Sequence, residues 1–117
     1  MTPLKIWPQA ELPNLSAGNI AVPCPPDGHD ITVPRPGVFL YVINGSRQPF
    51  QVTVESGGNE MAGRVPASIA IGKGRKNKPC QMILGPFGAH LEHQPDPVVR
   101  FRYERAGRKA SVFAFSA

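Results

Sequence analysis

Long uninterrupted runs are what this sequence has least of. The longest stretch free of both proline and glycine is Arg108 to Ala117, ten residues. A globular helix usually needs about 11 or 12 residues with an apolar one every third or fourth position. That excludes a helical core, and no apolar run is long enough to span a bilayer. Cysteine is nearly absent. Cys24 and Cys80 are too few for a disulfide scaffold and lack CxxC spacing, so free thiols acting as small hydrophobes in a reducing compartment are expected. The opening MTPLKIWPQAEL has neither an h-region nor a small-residue cleavage site, so a soluble, unprocessed chain is expected.

Catalytic signatures are missing as well. None of Ser46, Ser56, Ser68, Ser111 and Ser116 sits in a GxSxG elbow, and no His-Asn signature surrounds either cysteine. The eight acidic residues are scattered, without a pair at suggestive spacing. His90 and His93 lie three apart near Glu92 and Asp96, but in a Pro-flanked loop that spacing defines no ligand geometry. His29 stands alone. Neither an enzyme nor a cofactor or metal protein is expected.

What the chain does have is β-structure. Of 117 residues 41% are hydrophobic, with six Phe, against 14 Pro and 12 Gly. One domain with one core fits that length. Phe50, Val52 and Val54 alternate with Gln51, Thr53 and Glu55, and Val99, Phe101 and Tyr103 with Arg100, Arg102 and Glu104. Period two is the mark of a half-buried strand. VFLYVIN, residues 38–44, is apolar almost throughout, which predicts a central strand, or one whose second face meets the N-terminal segment or a partner. Asn44-Gly45-Ser46 reads as the turn of a hairpin joining it to residues 50–55. Further strands are predicted at 30–33, 67–71, 80–84 and 110–115, with Gly85-Pro86-Phe87-Gly88 turning the chain. Seven or eight short strands at roughly ten-residue spacing predict an all-β antiparallel sandwich or jelly roll over residues 27–117.

The first 26 residues hold six prolines, which remove ladder donors and favour extended backbone. They read as an extended arm. Leu4, Ile6 and Trp7 form its apolar anchor, packing on the domain's own surface or on a neighbouring subunit.

Charge is split along the chain. Residues 1–60 carry three cations and five acids, net −2, and residues 61–117 carry ten and three, net +7. Within the basic half, GKGRKNK at 72–78 places Lys73, Arg75, Lys76 and Lys78 together. The loop lacks P-loop spacing, no helix follows it, and no aromatic residue is interleaved for base stacking. Its strand-like flanks predict a hairpin tip that sheds charge into solvent. Contact with an acidic protein surface is the functional alternative, and nucleic acid a weaker one.

The order of landmarks resembles a known group. DGHDITVPRPGVFLYVINGSRQPFQVTV, then a Gly-rich loop, VPASIAI, ILGPFGAH, VVRFRYE and SVFAFSA are similar to small β-sandwich virion proteins of tailed bacteriophages and prophages. Phe39 to Ser46, Gln51 to Val54, Gly85 to Phe87 and Val99 to Tyr103 carry the likeness, which covers about three-quarters of the chain. The arm and the basic insertion depart from it. The resemblance implies a non-enzymatic capsid decoration (cement) protein that binds the major capsid protein on the outer face of the shell. It would be made in the host bacterial cytoplasm and would assemble with itself as a trimer or another symmetric oligomer. A head–tail junction or tail component is the neighbouring reading. A carbohydrate-binding module is the rival from another class, and requires Trp7, Tyr41 and Tyr103 exposed on one face.

Overall fold

Side-chain alternation decides the two faces of each strand, and burial follows it closely. Along β9 (Val98–Glu104) Val99, Phe101 and Tyr103 are buried while Arg100, Arg102 and Glu104 are exposed. A computed structural model of the chain describes residues 2–14, 20–32, 38–56, 67–75, 78–87, 98–107 and 109–116. Its other strands are β1 (Thr2–Pro3), β2 (Ile6–Pro8), β3 (Val22–Pro23), β4 (His29–Thr32), β5 (Val38–Asn44), β6 (Phe50–Ser56), β7 (Ala67–Ile71), β8 (Cys80–Phe87) and β10 (Ala110–Ser116), with a 3-10 turn at Gln9–Asn14.

Two sheets pack face to face, in the orders β1-β4-β9-β6-β7 and β2-β10-β5-β8, with β3 also on β10. The β4-β9-β6-β7 and β3-β10-β5-β8 orders are those of a jelly roll, in which the chain passes repeatedly from one sheet to the other. The fold is therefore the all-β sandwich that the alternation predicts. Ile31, Phe101, Val52 and Ile71 of the first sheet meet Leu40, Val42, Val112 and Leu84 of the second in a single buried core.

From β4 onward strand identities agree with the sequence, but several strand partners do not, and the first 26 residues, read as an arm, also contribute β1, β2 and β3. β5 and β6, expected as a hairpin about Asn44-Gly45-Ser46, lie in different sheets, so residues 45–49 form an arch. β7 and β8 are likewise in opposite sheets. The GKGRKNK segment is thus a sheet-to-sheet crossover rather than a hairpin tip. Its Arg75 and Lys78 do close a small bridge of their own, N to O at 2.8 and 2.9 Å. Gly85-Pro86-Phe87 does not end its strand either. β8 runs through it, and the register against β5 shifts between Val38 and Leu40. Gly85 takes φ +118° there, a conformation that suits glycine, and proline is tolerated because β8 is an edge strand.

β5 is central, as its apolar run implies. Val38, Leu40, Val42 and Asn44 are buried, while Phe39, Tyr41 and Ile43 are half-buried on the opposite face. On that outer face Phe39 stacks on Phe115 at 5.2 Å and Tyr41 on Phe113 at 4.8 Å between ring centroids. These are the in-register partners across β5 and β10, so cross-strand aromatic pairing adds to backbone pairing. Tyr41 also donates to Gln81 Oε1.

Residues 2–8 are laid along the sandwich as two short strands. β1 pairs in parallel with β4 on one sheet, and β2 in parallel with β10 on the other. Leu4, between them, donates its N–H to Asp30 O at 3.0 Å. The segment therefore bridges the open edge where the two sheets part. Leu4 and Ile6 pack against the common core.

Candidate functional site

The β3–β4, β5–β6, β7–β8 and β9–β10 connections gather at one end of the sandwich, as jelly-roll topology requires. Direct bonds tie them together. Gly45 N donates to Lys109 O at 3.1 Å, Gly74 N to Ser46 O at 2.7 Å, and Cys24 N to Ala110 O at 3.1 Å.

Asn44 organises this end. It is the last residue of β5, its inward side chain is 0% exposed, and it points past the core into the loops. Its Nδ2 donates to Gln48 O at 2.9 Å and to Gly72 O at 3.0 Å, while its Oδ1 accepts from Ser46 N at 3.0 Å. One amide thus satisfies three backbone groups on two crossovers, which a buried polar side chain must do to be tolerated. Gly74 comes so close to this hub that a Cβ there would meet Asn44 O at 2.6 Å. The tight approach explains the second glycine of the basic loop.

Charge is concentrated on this scaffold. Arg47 lies on the β5–β6 arch, Lys73, Arg75 and Lys78 on the β7–β8 crossover, and Arg105 and Lys109 on the β9–β10 link, all six exposed. The acids described at the same end are Asp27 and Glu104. Of the cations read from the sequence as a candidate contact surface, Lys73, Arg75 and Lys78 are brought together here, and Lys76 lies outside the described residues. Arg47, Arg105 and Lys109 were not legible as members, because only the topology places them beside the loop. Cations held on rigid backbone lose less freedom on binding than the same charges on a loose turn.

The arm residues have a different setting. Leu4 and Ile6 direct their apolar surface at the chain's own core. Trp7 is half-buried, with Lys5 Nζ 3.8 Å from its ring centroid in a cation–π contact.

A second polar cluster lies under the β3–β4 connection. His29 Nδ1 and Tyr103 Oη are 2.7 Å apart and both side chains are buried. Burial lowers the imidazole's affinity for a proton, against the smaller opposing pull of Asp27 and Asp30. Burial, with Cys24 nearby, holds the Tyr103 phenol well above its usual range, and burial pushes the Cys24 thiol up to about 12. These groups stay neutral near pH 7. Neither thiol is in a disulfide.

Among the described residues no three His, Cys, Asp or Glu side chains come together as a metal site. His90 and His93 lie outside those residues. No described helix is long and apolar enough to cross a membrane. No family model matches the chain, and neither a curated protein nor a solved structure matches it.

Proposed function

We propose that the chain is a structural protein of a bacteriophage virion, a decoration protein that seats its basic end on the outside of the major capsid protein shell. The observation that carries this reading is the basic end itself. Six exposed cations lie on three separate connections, two of them tied together by the buried Asn44 and the third held by Gly45 N donating to Lys109 O. Such a surface is suited to docking against a fixed array of carboxylates, where electrostatic complementarity guides association and sets register. The outer face of the β2-β10-β5-β8 sheet supports an assembly role, because Ile83 is 60% exposed there beside the aromatic pairs. Self-association into a trimer on the shell's three-fold axes belongs to the same reading.

The head–tail and tail alternatives draw on the same features and need a ring of copies instead of scattered ones. The carbohydrate-binding alternative is disfavoured by Tyr103, which is buried in the core and so shares no exposed face with Trp7 and Tyr41. Jelly rolls host capsid and lectin functions alike, so the fold itself favours neither.

The test is whether the purified protein coats capsids that lack it. Saturable coating is expected. Replacing Lys73, Arg75 and Lys78 together by Glu is expected to abolish coating while leaving the melting temperature nearly unchanged. Coating that survives the triple change returns the basic end to a solvated surface. An unmodified protein that never coats capsids but joins purified connector or tail assemblies moves it elsewhere in the virion.

A further inference from the structure

β10 has two short partners along one edge, β3 at Ser111 and Val112 and β2 at Ala114 to Ser116. Phe113 falls between these two registers and belongs to neither. Between them, where the N-terminal segment bridges the two sheets, lies a cleft of about 350 Å³. Its walls are apolar: Leu4 and Trp7 on one side, Val22 and Pro23 on the other, with Phe113 beneath. A volume of that order is at the lower end of small-molecule sites.

The one imidazole lining this cleft belongs to His29, whose side chain is only 2% exposed. The ring makes its hydrogen bond through Nδ1, to Tyr103. The ring lines the cleft and its Nδ1 is taken by Tyr103, which leaves Nε2 as the ring nitrogen for a ligand to meet. Of the two tautomers this contact allows, we take the one in which the Tyr103 hydroxyl donates to His29 Nδ1. In that tautomer the neutral imidazole carries its own proton on Nε2, available as a donor. Asp27 and Asp30 act on the same ring and would repel an incoming anion. The neighbouring cation, Lys5, is already held over Trp7.

We propose that this cleft binds a small neutral apolar molecule bearing one carbonyl oxygen, with its apolar body between Trp7 and Val22 and the carbonyl accepting a hydrogen bond from His29 Nε2–H. The site stands independently of the role assigned to the basic end. Apolar walls provide most of the attraction, and the single buried donor sets orientation and selects against ligands that leave it unpaired.

Cyclohexanone is a suitable probe, and Trp7, the only Trp of the chain, is a built-in reporter. Titration of the full-length protein is expected to shift Trp7 emission saturably, with a dissociation constant of about a millimolar, the range open to so few atoms. In protein labelled with 15N-histidine, the His29 Nε2 resonance is expected to move with the same constant. Val22→Phe fills the cleft from a position that is 38% exposed, which the fold should tolerate. It is expected to weaken both responses about tenfold or more. Cyclohexanecarboxylate, of similar bulk but charged, is expected to bind about tenfold more weakly because of the flanking carboxylates. The proposal is overturned by the absence of a saturable response, by a Trp7 response without movement of His29, by full retention in Val22→Phe, or by tighter binding of the carboxylate.

Discussion

Asn44→Ala removes one amide and leaves three backbone groups on two loops without partners. The lost bonds are those to Gln48 O and Gly72 O and from Ser46 N, at 2.9, 3.0 and 3.0 Å. At about 1 kcal/mol net for each, the expected loss is about 3 kcal/mol, more if water cannot reach the orphaned carbonyls. For a chain of this size that lowers the melting temperature by about 10 °C. Denaturant unfolding followed by Trp7 fluorescence measures the loss, and amide exchange at Gly74 and Arg75 shows whether the basic crossover loosens with it. Asn44→Asp sharpens the test. A carboxylate at this position faces the Gln48 and Gly72 carbonyl oxygens instead of donating to them, so its folded pKa rises above the unfolded value of about 3.9. The damage is then greatest at neutral pH, appears as pH rises through the raised folded pKa, and fades as pH falls back below the unfolded one. A loss below about 1 kcal/mol in the alanine variant, or an aspartate variant whose deficit does not change with pH, refutes the assignment of Asn44 as the hub.

Other consequences are equally direct. Gly28 has φ +81° and a Cβ there would lie 2.2 Å from Phe101 O, so Gly28→Ala should cost about 3 kcal/mol or prevent folding; a wild-type melting curve would contradict the backbone described. His29 is buried neutral with its pKa lowered, so the unfolded chain binds its proton first and stability should fall as pH drops below about 6.5. His29→Gln should flatten that slope, and parallel profiles would remove His29 as its source. Deleting residues 2–8 strips Leu4 and Ile6 from the core and should lower stability by about 2–3 kcal/mol; unchanged unfolding would mean that the segment is merely draped on the surface.

Much of the architecture was legible because alternation reports directly on burial. The faces of β6 and β9, the central place of β5 and the sandwich class all follow from period two and turn spacing. Pairing was less legible. An Asn-Gly step between two strands serves a hairpin and a sheet-to-sheet arch equally well, and what separates them here is where the Asn44 side chain goes. Gly85-Pro86 reads as a stop in one dimension and is a bulge in three. The prolines of the first residues concealed β1, β2 and β3, since strands of two or three residues carry no period. In the candidate site, contiguous Lys73, Arg75 and Lys78 stood out at once. Arg47, Arg105 and Lys109 did not, because their proximity depends on the order of the sheets. His29 gave no signal, since a lone histidine reads the same whether it is exposed or forms the floor of a cleft.

The bridging N-terminal segment also bears on when the fold can form. Ile6 pairs with Ala114, and Trp7 with Phe115, so these residues wait for partners made more than a hundred residues later. Until β10 emerges, β2 and β3 have no edge to join and the face of β5 that holds Phe39 and Tyr41 lacks its aromatic partners. Such non-local closure is slow and leaves apolar strands open during synthesis. The nascent chain is then most exposed to chaperones, and to aggregation with its own copies, just before β10 arrives.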